Sequence, residues 1–296
     1  MLREIRLSRI CEFLHLRFYG SDIPIHGLNL CDRKSAFDNI LSYATSKKYV
    51  AHVKNNINVS CLVLREDFLQ DYASEVIGRD ISYILSDEPE KVFYEIHAYL
   101  HDKTDFYEQY DFPARIGMDC NIDKTAVIQD GTVIGNRVCI GPMSIVRKGS
   151  VIGDDVEIGC HTVIGGEGFQ ILRIDGENWK IPHVGGCKIG RNCRIGDHVV
   201  ICNSLFEDTT YIGNNVMIDN FVHVAHNVVI DDYAVLTGGT DLAGSCHIGQ
   251  GAWIGPNATV ANKVTVGDYS LTGIGSTVIR NVKANTKVFG VPAIKI

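Results

Sequence analysis

The chain has 296 residues, 45% of them hydrophobic and 21% charged, with a formal net charge of -7. That is enough for one large domain or two ordinary ones, and the acidic balance argues against nucleic acid or another polyphosphate surface as partner. No apolar run approaches the roughly 18 residues of a membrane span, and Met1-Leu2-Arg3-Glu4-Ile5-Arg6 lacks the apolar core of a signal peptide, so a cytoplasmic location without a membrane span is expected.

Residues 1–102 read as a small α/β domain. Leu7-Ser8 opens a short amphipathic helix through Ile10, Cys11 and Leu14, with Ser8 as its N-cap. Ile23 to Leu28, Ser60 to Leu64 and Ile81 to Leu85 read as strands. Glu88 to Leu100 reads as a helix with Val92, Ile96 and Leu100 on one face. Residues 103–113, polar and aromatic, read as a connector.

From Ile116 the pattern changes. An aliphatic residue recurs every sixth position through Ile122, Ile128, Ile134, Ile140, Val146, Ile152, Ile158 and Ile164, returns at Ile189, Ile195 and Ile201, and returns again from Ile212 to Val266, with Thr272 a weak step before Val278. Neither a helix nor a single strand has a period of six. One short strand plus one turn occupies six residues, and three such units close a triangular coil whose aliphatic residues point inward and stack on those of the next coil. The glycines that often follow the aliphatic residue, such as Gly117, Gly135 and Gly141, read as corners of positive φ. The predicted architecture is a parallel β-helix over 114–281, with a C-terminal tail at 282–296. Ten cysteines without a C-x-x-C pair read as reduced structural thiols, among them Cys120, Cys160, Cys193 and Cys246 at positions that want a small residue.

Interruptions of a solenoid leave from one face and often line a binding site. The larger, 165–188, contains Gly165-Gly166-Glu167-Gly168-Phe169 and Trp179-Lys180-Ile181-Pro182-His183; it is either a self-packed surface loop or a flap over a substrate or acyl chain. The smaller, Cys202 to Thr210, shifts the sixfold phase by one, because Ile201 and Ile212 are eleven apart.

Between Ile218 and Ile230 stand His223 and His226. Two histidines three apart invite a metal reading, but zinc needs three or four convergent ligands and the Val224 alternation sends these two apart; no metal or other cofactor is expected. His223 is either an exposed coil residue or a substrate contact. His226 follows Ala225 at a corner, where a neutral imidazole can take a proton from an attacking amine or hydroxyl. Gly238-Gly239 and Gly244 lie about one coil further on, and a backbone N–H there can stabilise the oxyanion of an acyl transfer.

These segments resemble the UDP-3-O-acylglucosamine N-acyltransferase family of lipid A biosynthesis, a branch of the hexapeptide-repeat acyltransferases. The likeness runs from Ile5-Arg6-Leu7 through Ile164 to Phe169 and Trp179 to Pro182, and is sharpest at Ile218-Asp219-Asn220, Ala225 to Ile230, Gly238-Gly239 and Ala243-Gly244-Ser245. It implies a left-handed coil, a homotrimer with active sites between subunits, His226 as general base, the Gly244 N–H as oxyanion donor and Asn220 as a substrate-orienting residue. In the N-terminal domain it implies that Tyr43 and Tyr49 flank a nucleotide base, with Ser46 and Lys48 on the base or phosphates; ordinary packing of the two tyrosines is the competing reading. Phe169, Trp179, His183, Asp219 and His223 are further candidate substrate contacts.

Departures from the family fall at Cys202-Asn203-Ser204, in place of an Asp-Arg-Gly turn, and at Asn262-Lys263, in place of a second histidine. The ending Val288 to Ile294 resembles CoA-dependent sugar acetyltransferases. The expected reaction is therefore N-acylation of a UDP- or dTDP-linked amino sugar for surface polysaccharide or lipopolysaccharide, from an acyl-CoA. Alternatives are the lipid A reaction itself with acyl carrier protein as donor, sugar O-acetylation, or a non-catalytic sugar-binding scaffold. A fused pyrophosphorylase is disfavoured, because the first hundred residues hold no Gly-rich nucleotidyltransferase loop.

Overall fold

The computed structural model describes residues 3–33, 35–70, 79, 81–174 and 176–296. The chain forms two compact units, Met1–Glu108 with Gln170–Val184, and Gln109–Phe169 with Gly185–Ile296.

The first unit contains β1 (Ile5–Arg6), α1 (Leu7–Phe13), β2 (Phe18–Tyr19), β3 (Pro24–Ile25), β4 (Gly27–Leu28), β5 (Ile40–Tyr43), α2 (Lys47–Asn55), β6 (Val59–Leu64), β7 (Ser82–Leu85) and α3 (Pro89–Lys103). The sheet order is β2-β7-β6-β5-β4, parallel except for β2. Parallel neighbours need a crossover, and α2 supplies it between β5 and β6. β6 is buried at nearly every position, as expected of a central parallel strand covered on both faces. Helix α3 starts with Pro89, whose missing N–H costs nothing in a first turn, and buries Val92, Phe93, Ile96 and Leu100.

Several expectations are corrected here. Ser8 lies inside α1, and Arg6 holds the N-cap position; the Ser8 N–H and hydroxyl donate to the two carboxylate oxygens of Asp22, each at 2.9 Å. Ile23 to Leu28 is two strands, because β3 pairs with β1 while β4 pairs with β5. Within 165–188, residues Ile171–Ile174 and Glu177–Lys180 form an antiparallel hairpin with Leu172 opposite Trp179. Residues 170–184 belong with the first unit and not with the solenoid. His97, fully buried on α3, ties them down: its Nε2–H donates to the Pro182 carbonyl at 2.9 Å, and the Tyr107 hydroxyl donates to Nδ1 at 2.7 Å.

The second unit is a parallel β-helix with three faces. Face A starts at Arg115–Ile116, face B at Asn121–Ile122 and face C at Val127–Ile128, and the chain visits them in that order, one short strand per face. The inward residues stack in register: on face A, Ile134 lies beside Ile152, then Ile189, Ile212, Ile230, Ile248 and Val266. From Ile134 onward these side chains are buried, whereas Ile116 in the terminal coil is 49% exposed. The interruption at 165–188 leaves this register intact, because the chain leaves after Gly166 and returns at Gly186. The coil also continues past 281: Val288 pairs with Thr272, and Val282 and Val288 are buried in the core, so 282–296 is not merely a tail.

The corner glycines have a different cause from the one expected. Positive φ falls three residues after the inward residue, at Arg137, Asp155, His161, Asn215 and Asn227, and not at Gly135, Gly141 or Gly153. A Cβ on Gly135 would lie 2.5 Å from Asp154 Oδ1, and one on Gly141 would lie 2.8 Å from the Gly159 carbonyl carbon. Stacked turns approach too closely there for a side chain. The residue after the glycine completes the device: Asp154 Oδ1 accepts the Asn136 N–H at 2.7 Å, and Asn136 Oδ1 accepts the Met118 N–H at 2.9 Å.

Candidate active site

Three irregular features stack on the corner between faces C and A: the exit and return of the insertion at Gly166 and Gly186, the loop 203–208, and the corner Ala225 to Val228. Loop 203–208 is fixed to the first of these. The Asn203 N–H donates to the Gly166 carbonyl at 2.7 Å, and the Gly185 N–H to the Ser204 carbonyl at 3.0 Å. Gly185 admits no side chain, because a Cβ would overlap the Phe206 carbonyl oxygen.

His226 sits on this corner with 8% of its surface exposed. Its Nδ1 lies 3.0 Å from Asn227 Oδ1. That oxygen also accepts the Leu205 N–H at 3.1 Å, and Asn227 Nδ2 donates to the Ser204 hydroxyl oxygen. The orientation of the amide is thereby set, so Oδ1 is the acceptor and Nδ1 must carry the proton. The lone pair of the neutral ring is on Nε2, the tautomer a general base requires. The Asn227 N–H donates to Thr210 Oγ1 at 2.9 Å, tying the corner to the strand below.

One coil above, Gly244 faces the ring. A Cβ there would lie 2.7 Å from His226 Nε2, so the imidazole occupies the space a side chain would fill. The Ala243 N–H donates to the Val260 carbonyl and the Ser245 N–H to the His226 carbonyl, both at 3.0 Å. Among the described residues no ladder hydrogen bond uses the Gly244 N–H. His226 and Gly244 are therefore brought together as the sequence predicted. The sequence reading assigned no role to Asn227; its position directly after the histidine is the signal that could have found it.

Other nominated residues lie elsewhere. Asp219 and Asn220 stand on the corner between faces B and C. Asn220 Oδ1 accepts the Asp197 N–H at 2.7 Å, and Asp219 Oδ2 accepts the Gly238 N–H at 3.0 Å. Within one chain they serve the turn ladder and do not share the corner of His226. His223 projects from face C, where its Nδ1–H donates to Asp241 Oδ1 at 2.8 Å. Phe169 is 76% exposed at the start of the insertion. A groove of about 470 Å³ lined by Asp123, Glu157, Arg194 and Asp219 lies along face B, away from the imidazole.

In the first unit, Tyr43 on β5 is half-buried. Its hydroxyl donates to Glu90 Oε1 at 2.9 Å, and its ring packs 4.8 Å from that of Phe93. Burial, with Tyr94 and Glu90 nearby, pushes its phenol far above the ordinary range, so it remains a donor. Ser46 precedes α2 without capping it through its side chain, Lys48 is exposed in the first turn, and Tyr49 packs beside the cluster of Cys31, Val50, Val53 and Leu62. The two tyrosine rings thus have different neighbours. A cavity of about 350 Å³ in this unit is lined by Thr45, Arg65, Asp87 to Lys91 and Leu172 to Ile174; the sequence reading missed its cations, Arg65 and Lys91. Trp179 and His183 are half-buried, and Trp179 lines a second cavity with Glu95 and Ile174.

Comparison with known proteins accords with this architecture. The family "Bacterial transferase hexapeptide (six repeats)" matches residues 113–148, 209–240 and 245–280. A UDP-3-O-acylglucosamine N-acyltransferase of Leptospira biflexa is 39% identical over 29% of this chain, a stretch that spans about a quarter of that relative (24%). The enzyme of that name from Coxiella burnetii is 35% identical over 45% of this chain and 46% of its own, and the one from Campylobacter lari is 25% identical over 97% and 92%. Among solved structures, the UDP-N-acetylglucosamine acyltransferase from Campylobacter jejuni superimposes with a TM-score of 0.55 at 22% identity, over 62% of this chain and 69% of that one. The corresponding protein of Bacteroides fragilis gives 0.51 at 24% identity, over 64% and 73%. The resemblance read from the sequence is borne out, and the fold is the left-handed parallel β-helix of hexapeptide-repeat acyltransferases, preceded by a small α/β unit.

Proposed function

We propose that the chain is an N-acyltransferase that moves an acyl group from a thioester to the amino group of a nucleotide-linked amino sugar. The observation that carries this reading is the His226 corner: Nδ1–H held by Asn227, the lone pair of the neutral ring on Nε2, and Gly244 one coil above, close against the ring. In the reaction, the sugar nitrogen attacks the thioester carbonyl as Nε2 takes its proton. The Gly244 N–H donates to the oxyanion, and the leaving thiolate takes the proton from the imidazolium. Base assistance contributes about 10²–10⁴-fold, and one oxyanion donor about 10²–10³-fold.

The first unit takes the nucleotide, with Arg65 and Lys91 beside its cavity and Lys48, Ser46, Tyr43 and Tyr49 on the β5–α2 segment. We further take the donor to be a CoA thioester, the assembly a homotrimer and the location cytoplasmic, with the product destined for surface polysaccharide or lipopolysaccharide. Likeness to the Campylobacter lari enzyme over 97% of this chain favours a second reading, the UDP-3-O-acylglucosamine reaction with an acyl carrier protein as donor.

Thiol release separates the two readings when acyl-CoAs and acyl carrier protein thioesters are offered against UDP- and dTDP-linked amino sugars and UDP-3-O-acylglucosamine. Turnover of an acyl-CoA with one amino sugar supports the first. Turnover only with the carrier protein and the acylglucosamine supports the second. Turnover of alcohols but of no amine rejects N-acylation.

A further inference from the structure

Cys202 begins the stretch in which this chain departs from the family it resembles, and the acyl-transfer step proposed above leaves it unused. Cys202 lies at the end of a face C strand, paired with Gly166 in the coil below. The neighbouring register, Val200 beside His223 and Ile201 beside Val224, puts it level with Ala225, the residue before His226. His223 and Asp241 occupy successive coils of the same face.

The side chains form a chain of contacts. The Asp241 carboxylate accepts the His223 Nδ1–H at 2.8 Å, so that ring's lone pair is also on Nε2, and Nε2 lies 3.7 Å from Cys202 Sγ. A nucleophile, a base beside it and a carboxylate that fixes the base's tautomer are the components of a nucleophilic relay. Cys202 itself is only 5% exposed. Burial pushes its thiol up to about 11 while the Arg147 guanidinium pulls it down. At neutral pH the thiol is therefore protonated, and it attacks only if a base removes the proton during the step; His223 is placed to do so.

We infer that Cys202, His223 and Asp241 form a second acyl-accepting centre, in which Cys202 takes an acyl group from a thioester and holds it beside the His226 corner. This inference rests on the thioester chemistry proposed for that corner. As the bond from Cys202 sulfur to the carbonyl carbon forms, the S–H proton passes to His223 Nε2. As the donor carbon–sulfur bond breaks, the departing thiolate takes that proton and leaves as free thiol. The products are an acyl thioester on Cys202 and the free donor thiol, with no change of oxidation state. Cys202 is the reacting residue, His223 its base and Asp241 a positioning residue.

The test is incubation of the full chain with acetyl-CoA, followed by site-resolved peptide mass spectrometry. The half-exposed Cys139 and Cys160 serve as internal references. The expected result is a hydroxylamine-sensitive acetyl group on Cys202. Its rate of formation should fall roughly 100-fold in His223→Ala and less in Asp241→Asn, with the rates at Cys139 and Cys160 unchanged. A merely structural role for His223 would move all three thiols together. Iodoacetamide labelling of Cys202 should show the same dependence on His223 without any acyl donor. Absence of acetyl from Cys202, or a Cys202 rate unchanged in His223→Ala, overturns the inference. A protein that acylates amino sugars but never Cys202 overturns this centre and leaves the transferase reading standing. A protein acetylated on Cys202 that acylates no sugar does the reverse.

Discussion

The two units of this chain are stabilised by opposite strategies. In the solenoid one solution is repeated: Ile134, Ile152, Ile189 and Ile212 stack on the same face with the same neighbours, and each coil depends on the coils beside it. In the N-terminal unit each contact occurs once. His97 binds Tyr107 and Pro182, Tyr43 binds Glu90, and Asp22 binds the start of α1. The difference shows where chemistry can be built on a repeat. The candidate base arises where the repetition lapses, at a corner where Asn227, Ser204 and Leu205 make contacts that the regular turns lack. Regular coils set the position, and irregular loops set the tautomer.

The sharpest separation of fold from chemistry is His226→Ala. Its side chain touches a corner and not the stacked core, so turnover should fall by about 10²–10⁴-fold while the melting temperature and circular dichroism stay close to those of the parent. Near-parental kcat would remove His226 from the mechanism; collapse of the fold would mean that the corner supports the solenoid. Ile230→Ala is the converse. Ile230 is fully buried between Ile212 and Ile248, and its truncation should cost about 2–5 kcal/mol in denaturant unfolding. A cost below about 1 kcal/mol would show that the coils relax into the space and are less tightly coupled than their register implies.

The same contrast explains what could be read from the residues alone. A period of six kept over many coils admits one architecture, so the solenoid and its inward residues were legible. The reason for its glycines was not, because the close approach of Gly135 to Asp154 depends on coil-to-coil distance and leaves no trace in a single repeat. His226 and Gly244, 18 residues apart, were legible as a pair because one coil is 18 residues long. Asn220 stands six residues, and so one face, before His226; within one chain it occupies another corner, and its role came from likeness to a motif and not from the period. In the N-terminal unit β5 and α2 went unread as elements. β5 is covered by β6 and α3, and Val50 and Val53 of α2 are buried against Cys31, Val59 and Leu62, contacts that no local pattern in either segment announces.

A pH difference between the units follows from His97. Burial, more than any other influence, holds its imidazole down at about 4, below the ordinary value of about 6.5. The unfolded chain then binds the extra proton more readily between those values, so stability is complete above about pH 6.5 and is lost as pH falls towards 4. The shift corresponds to about 3 kcal/mol. His97→Gln keeps an N–H donor for the Pro182 carbonyl and cannot titrate. Urea unfolding from pH 7 to 4.5 should therefore show a steeper acid loss in the parent than in the variant, confined to probes in the N-terminal unit such as Trp179 fluorescence. Equal slopes would mean that His97 is accessible to protons in the folded state.

The smallest effect concerns α1 and separates two accounts of how a helix starts. If Ser8 capped the helix by itself, Ser8→Ala would cost about 1 kcal/mol and Asp22→Ala would cost nothing comparable. In the structure the carboxylate of Asp22 accepts both the Ser8 N–H and the Ser8 hydroxyl, so a residue beyond the end of the helix satisfies a donor that would otherwise lack an intrahelical partner. Asp22→Ala removes both bonds and the favourable negative charge at the helix start, and should cost about 1 kcal/mol. Ser8→Ala removes only the hydroxyl bond and should cost about half as much. The two losses should not add in the double variant, because both act through one carboxylate. Additive losses would show that Ser8 and Asp22 support the helix separately, and that the start of α1 is set locally after all.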